Sequence, residues 1–313
     1  MQPLPIDDTL PALREALAAR SNVVLHAPTG AGKTTRVPLA LLKEPWLTSQ
    51  RIIMLEPRRL AARAAARHMA ALIGETVGAT VGYRTRFDTR VGTDTRIEVV
   101  TEGVLTRLLQ NDPELAEYGL VIFDEFHERS LQADLGLALA LDVQGSLRPE
   151  LRLLVMSATL PGERVAAFLG DAQIVSSAGR SFPVKVRYLG GGSKQTTPAR
   201  TAAAVGHAVA EQPGGVLVFL PGAAEIRKTA DLLAKQLPRN VLIAPLYGAL
   251  PPAEQDKAIA PAPDGRRKVV LATNIAETSL TIEDVRVVVD CGLARVARFE
   301  PKSGMTRLVT ARI

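Results

Sequence analysis

The run Val23-Val24-Leu25-His26-Ala27-Pro28-Thr29-Gly30-Ala31-Gly32-Lys33-Thr34-Thr35 decides how the rest of the chain is read. Its opening residues suit a buried strand. From Thr34 to Leu42 the apolar positions recur at helical spacing. Between strand and helix lies a glycine-containing loop, which is the layout a phosphate-binding loop requires. Gly30 and Gly32 let backbone N–H groups wrap a polyphosphate, and the helix N-terminus adds partial positive charge. Thr29, Ala31 and Thr35 belong to the same cradle. Lys33 can reach the β- and γ-phosphates, and the Thr34 hydroxyl can bind Mg²⁺. The first glycine of the strict pattern is alanine here, Ala27.

Working outward, apolar runs alternate with helical patterns. Val23–His26, Arg51–Leu55, Ile97–Thr101, Leu120–Phe123 and Leu153–Ser157 read as buried strands. Thr34–Leu42, Leu60–Ile73, Gly103–Leu109 and Leu131–Leu141 read as helices between them. Such alternation argues an α/β fold with a parallel sheet covered on both faces. The pattern then restarts, with strands at Val216–Leu220, Val241–Pro245, Lys268–Thr273 and Val285–Asp290 and helices at Ala199–Gln212 and Gly222–Gln236. The stretch Gly190–Pro198 is rich in glycine and small polar residues and reads as a linker. Two α/β domains follow, 1–188 and 199–313, joined by residues 189–198. Arg295–Phe299 and Met305–Val309 flank a Pro/Gly turn and read as a basic β-hairpin.

The second chemical signal is Leu120-Val121-Ile122-Phe123-Asp124-Glu125-Phe126-His127, an apolar strand ending in two adjacent carboxylates. Ligands of open parallel sheets sit at the carboxyl ends of the strands. Asp124 is therefore expected near the Mg²⁺ of a nucleotide, with Glu125 also at the metal and placed to deprotonate the attacking water.

Asp124-Glu125-Phe126-His127 resembles the second motif of superfamily 2 helicases of the DEAH-box group, with Phe126 in place of alanine. Further landmarks follow in the family's order: Pro57-Arg58-Arg59, the hook-like Gly82–Phe87, Thr101-Glu102-Gly103, Ser157-Ala158-Thr159, Leu217–Gly222 and Ala272–Ile282. The phenylalanine variant and the Cys291-Gly292 region are most similar to the bacterial HrpB subgroup. The resemblance implies two RecA-like parallel-sheet P-loop lobes in tandem, the second incomplete. It implies ATP and Mg²⁺ as ligands, with Lys33, Asp124, Glu125 and His127 at the chemical step. It implies that Arg58, Arg59, Arg86, Thr101, Thr273 and Asn274 hold a nucleic-acid backbone, RNA in preference to DNA. Ser157 and Thr159 would couple hydrolysis to strand movement, and Glu283 would contact the ribose. Guanidinium forks and hydroxyls suit phosphate and sugar contacts, which position a strand without reading its sequence. The family's next motif, of the QRxGRxGR kind, does not occur in these 313 residues. Its arginines act across the cleft, and such arginines can supply ~10³–10⁵ in rate. An ATP-dependent helicase whose present chain binds ATP but hydrolyses it slowly is the expectation; an ATP-gated nucleic-acid clamp is the alternative.

Bulk properties agree. The chain has 313 residues, 47% hydrophobic and 22% charged, the profile of a folded protein of about two domains. One cysteine and four scattered histidines argue against a disulfide framework or structural zinc, and the N-terminus lacks the pattern of a signal peptide. A cytoplasmic protein with no membrane partner is expected. Residues 1–179 hold 19 basic and 21 acidic side chains, net −2; residues 180–313 hold 19 and 11, net +8. The basic half fits either a polyanion partner or a plain basic surface.

Overall fold

The computed structural model describes residues 3–159, 162–179, 182–189, 195–277 and 282–313. They fall into two units, Met1–Pro183 and Val184–Ile313.

The first unit runs α1 (Leu10–Ala19), β1 (Asn22–His26), α2 (Lys33–Leu41), β2 (Arg51–Glu56), α3 (Arg59–Leu72), β3 (Val81–Arg84), β4 (Thr89–Arg90), β5 (Ile97–Thr101), α4 (Glu102–Asn111), β6 (Tyr118–Phe123), α5 (Leu131–Ser146), β7 (Arg152–Ser157), α6 (Gly162–Phe168) and β8 (Gln173–Ser176). The strands form one sheet in the order β4-β3-β5-β2-β6-β7-β1-β8. Every pairing in it is parallel except the short β3–β4 ribbon. Alternate residues of each strand feed two cores. On one face Leu25, Ile52, Met54, Ile122 and Leu154 pack with Leu13 of α1, Leu41 of α2 and Met69 of α3. On the other, Val24, Ile53, Leu55, Phe123 and Val155 pack with Leu105 of α4, Leu137 of α5 and Val165 of α6. Burial of each large apolar side chain contributes roughly 1.5–3 kcal/mol, so a sheet covered twice explains why its strands read as unbroken apolar runs.

The second unit runs α7 (Thr197–Glu211), β9 (Gly215–Phe219), α8 (Ala223–Gln236), β10 (Val241–Leu246), α9 (Pro252–Ile259), β11 (Arg267–Ala272), β12 (Val285–Asp290), β13 (Leu293–Glu300) and β14 (Met305–Arg312). Strands β10-β11-β9-β12 form a parallel sheet, and β13 and β14 pair antiparallel as a separate hairpin. Val205, Val218, Ile226, Leu233 and Leu271 centre its core.

The expected strands and helices are present with ends shifted by a few residues. Three differences stand out. Gly82–Arg84, expected as part of a hook, makes up the last three residues of β3 and pairs with β5. Tyr83 is buried, and a Cβ on Gly82 would collide with the Arg90 carbonyl of the returning strand, so a sheet position won over a turn. Of the expected linker 189–198, residues 190–194 lie outside the described residues, and Thr197 and Pro198 already form the first turn of α7. Proline suits a first helical turn, where its missing N–H is not needed. The hairpin strands run eight residues each, longer than the runs that signalled them. Among the described residues no helix is long and apolar enough to cross a membrane.

Candidate functional site

In a parallel sheet all carboxyl ends lie along one edge, and the strand order divides that edge of the first unit in two. Strands β6, β7 and β1 are neighbours, as are β3, β5 and β2. The first trio ends in Asp124, Ser157 and the glycine loop; the second leads into Arg86, Thr101 and Pro57–Arg59.

The loop after β1 adopts the conformation its glycines permit. Gly30 and Gly32 have φ of +80° and +94°, a region costly for other residues. A Cβ on Gly32 would also strike Leu4, whose segment closes over the loop through the Ile6 N–H to Ala31 carbonyl bond of 3.1 Å. Thr29 and Gly30 are exposed, whereas Ala31 and Lys33 are buried. Helix α2 starts at Lys33, so the N–H groups of Lys33 and Thr34 lie in the first turn, where intrahelical acceptors are lacking, while the Thr35 N–H reaches the Gly32 carbonyl at 3.3 Å.

Lys33 Nζ donates to Glu125 Oε1 at 2.8 Å, with both side chains about 95% covered. Burial pulls the ammonium pKa down, but Asp124 and Glu125 outweigh it and hold it above the ordinary lysine value. Glu125 is itself raised, by burial first and by Asp124 second, against the pull of Lys33 and His127. The Thr34 hydroxyl donates to Asp124 Oδ2, while Asp124 Oδ1 accepts the Glu125 N–H at 2.8 Å. Thr34 and Asp124 thus bring two hard oxygens together at the phosphate end of the loop, a set that suits Mg²⁺. That ion keeps several waters and takes only one or two carboxylates beside substrate phosphates. Both Glu125 oxygens are engaged elsewhere, Oε1 by Lys33 and Oε2 by His127 Nε2 at 3.2 Å. The Ala158 N–H donates to His127 Nδ1 at 3.3 Å. Nδ1 is therefore the bare nitrogen, and Nε2 carries the proton that faces Glu125. His127 in this way ties the carboxylate to the Ser157–Thr159 segment; Ser157 is buried and Thr159 exposed.

Glu56, the last residue of β2, is a site residue that the sequence did not single out. It is wholly buried, and its carboxyl faces that of Asp124, with which it can share a proton. Burial, then the adjoining Asp124 carboxyl, push its pKa well above the ordinary range. The available signal was an acid closing the apolar run Arg51–Glu56 immediately before Pro57.

On the other half of the edge Arg58 pairs with Glu128 at 3.3 Å, Arg59 is exposed at the start of α3, and Thr101 is buried at the start of α4. Arg86 is exposed over the Phe87 ring, in a turn closed by Thr85 N–H to Asp88 carbonyl and by Tyr83 hydroxyl to Asp88 at 2.7 Å. In the second unit Thr273 and Asn274 follow β11 at its carboxyl end, half-buried and exposed respectively. Of the Ala272–Ile282 stretch, residues 278–281 lie outside the described residues. Glu283 departs from its expected ribose contact. It precedes β12 and lines a small depression with Gly215, Arg266 and Lys268, at the amino ends of the strands. That edge is opposite the one where a parallel sheet holds its ligands.

Two family models match the chain: the DEAD/DEAH box helicase over residues 8–168 and the helicase conserved C-terminal domain over residues 201–307. The chain is 56% identical to the ATP-dependent RNA helicase HrpB of Escherichia coli over 313 residues, all of this chain and 39% of that protein. It is 37% identical to the pre-mRNA-splicing factor ATP-dependent RNA helicase prp22 of Schizosaccharomyces pombe, covering 99% of this chain and 27% of that one. A crystal structure of the E. coli DEAH/RHA helicase HrpB superposes with a TM-score of 0.91 at 56% identity, over 99% of this chain and 40% of the other. The chain therefore spans well under half the length of these relatives. The fold is accordingly that of tandem RecA-like domains, and by the match over residues 8–168 the chain belongs to the DEAD/DEAH box helicase family.

Proposed function

We propose that this chain is the ATP-driven core of a cytoplasmic RNA helicase, in which hydrolysis at the first unit powers movement along a single strand. The observation that carries the reading is the linked set Lys33–Glu125–His127–Ala158 beside Thr34–Asp124, all on the carboxyl edge of one sheet. RNA is the preferred strand because HrpB and prp22 are both named RNA helicases.

Bound Mg²⁺, held by Asp124 and Thr34, would neutralise charge on the phosphates. Lys33 leaves Glu125 for the β- and γ-phosphates and lowers their charge further. Glu125, released from that pair and raised in basicity by burial, takes the proton of the attacking water. His127 keeps the carboxylate aimed through Nε2 and reports its state to the Ser157–Thr159 segment through Nδ1. Arg58, Arg59, Arg86, Thr101, Thr273 and Asn274 grip phosphates and sugars of the strand. The 313 residues hold no QRxGRxGR stretch, so in this reading the polypeptide binds ATP through the first unit and hydrolyses it slowly or not at all.

The test is equilibrium binding of Mg·ATP and of single-stranded oligouridine to the 313-residue chain, beside the Lys33→Ala variant. Lys33→Ala should weaken nucleotide binding at least about tenfold, the loss of one charged hydrogen bond at ~1.5–3 kcal/mol. Nucleotide binding indifferent to Lys33 would overturn the assignment. Strand affinity that changes with nucleotide while no duplex is ever separated, even by the full-length protein, would favour an ATP-gated clamp.

A further inference from the structure

The segment Asp124–Ser130 lies where the two halves of the carboxyl edge meet, because β6 pairs with β2 on one side and β7 on the other. Its middle is a single 3₁₀ turn, Phe126–Glu128, between two non-glycine residues of positive φ, Glu125 at 48° and Arg129 at 47°. Such a conformation costs of order 1–3 kcal/mol per residue and persists only when surroundings hold it. Phe126, packed edge-on against Phe123 with ring centroids 6.2 Å apart, anchors the turn.

Side chains leave this turn in two directions. Glu125 and His127 face the nucleotide half, as described above. Glu128 and Ser130 face the other half, and each is bonded to a different strand-facing loop. Glu128 Oε2 meets Arg58 at 3.3 Å, with both side chains three-quarters or more covered. The Ser130 hydroxyl donates to the Glu102 carboxylate while accepting the Ala133 N–H at 3.0 Å, which caps α5. Arg58 belongs to Pro57–Arg59 and Glu102 to Thr101–Gly103. One short, strained turn thus carries the base for hydrolysis and is tied to both loops that start α3 and α4. None of these bonds passes through the Ser157–Thr159 segment.

We propose that Glu128 and Ser130 are positioning residues that relay nucleotide occupancy to Arg58 and the Thr101–Gly103 loop within the first unit. When phosphates draw Lys33 from Glu125, the turn loses one of its holds on the nucleotide side and re-seats. Glu128 and Ser130 move with it, and the Arg58 fork is divided differently between Glu128 and a strand phosphate. Binding linkage makes the effect reciprocal, so an oligonucleotide shifts nucleotide affinity by the same factor.

This inference rests on the reading that Arg58 and Thr101 face a nucleic-acid strand. The experiment measures affinity for fluorescein-labelled oligouridine with and without a saturating non-hydrolysable ATP analogue and Mg²⁺. It uses wild type, Glu128→Gln, Glu102→Gln and the double variant, with analogue affinity in the absence of strand as a second readout. Wild type should show two strand affinities differing about tenfold, within the usual range of coupling. Each single variant should shrink that ratio, and the double variant should bring it to within twofold of unity. Analogue affinity without strand should stay unchanged, a result that misfolding would not give. Wild-type ratios retained in the double variant would overturn the relay while leaving the helicase reading intact. Absence of strand binding by wild type would overturn both.

Discussion

At the scale of single residues the proposed nucleotide site is a balance of buried charges. Lys33 stands among Asp124, Glu125 and Glu56, and burial makes each of these interactions stronger than it would be in water. Lys33, Thr34, Asp124 and Glu125 were legible because phosphate and metal chemistry restricts residue type and spacing. Glu56 and Glu128 were not, because their meaning lies in which strand neighbours which, and β2 and β6 are neighbours only once the sheet has formed. The same holds for Glu283, whose position at the amino edge follows from where β12 begins. Glu56 has a measurable consequence. Its carboxyl is raised by burial, so the folded state holds the proton more tightly than the unfolded state does. Stability from this group is therefore greatest at acid pH and is lost as pH rises through the folded pKa. Glu56→Gln removes that cost. Thermal melts should show the variant more stable than wild type at pH 8, where the folded protein must hold Glu56 against its ionisation. The gain should shrink towards zero as pH falls to the ordinary glutamate range; a gain independent of pH would contradict the account.

At the scale of elements, buried strands were read well because continuous apolar runs have few other uses. The exceptions are instructive. Strand β3 is four residues, Val81–Arg84, one of them glycine, and it carries too little pattern to separate a strand from a turn. What holds it is tertiary: Arg84 bonds the buried Glu98 of β5 at 2.9 Å, and the Tyr118 hydroxyl shares the same carboxylate at 3.1 Å. The β13–β14 hairpin was legible from its Pro/Gly turn, but its register shows more. Arg298 sits directly opposite Arg307. Like charges in that relation are unfavourable by some tenths of a kcal/mol, and Arg307 offsets part of this through Glu300 at 3.1 Å. An opposed arginine pair suits a hairpin that meets phosphates. Arg298→Gln should leave the melting temperature unchanged or slightly raised and weaken oligouridine binding about three- to tenfold, the loss of one phosphate contact at ~0.7–1.4 kcal/mol. Unaltered oligouridine affinity would remove the hairpin from the strand interface.

At the scale of the whole chain, composition and charge told the least and sheet order the most. A net +8 in residues 180–313 is compatible with many basic proteins. The order β3-β5-β2-β6-β7-β1 is more specific, since it lays the loops proposed to grip a strand beside those proposed to hold the nucleotide on one edge. That arrangement could not be read from the sequence, because crossovers between non-adjacent strands are invisible until helices choose their faces. The central claim is that Glu125 is the base of an ATP-hydrolysing site. It is tested most directly by single-turnover hydrolysis of trace ATP under excess protein, with oligouridine present, comparing wild type with Glu125→Gln. The account predicts that the variant binds ATP at least as well as wild type and hydrolyses it ~10²–10⁴-fold more slowly, the usual worth of a positioned general base. A Glu125→Gln protein that hydrolyses ATP at the wild-type rate would contradict it.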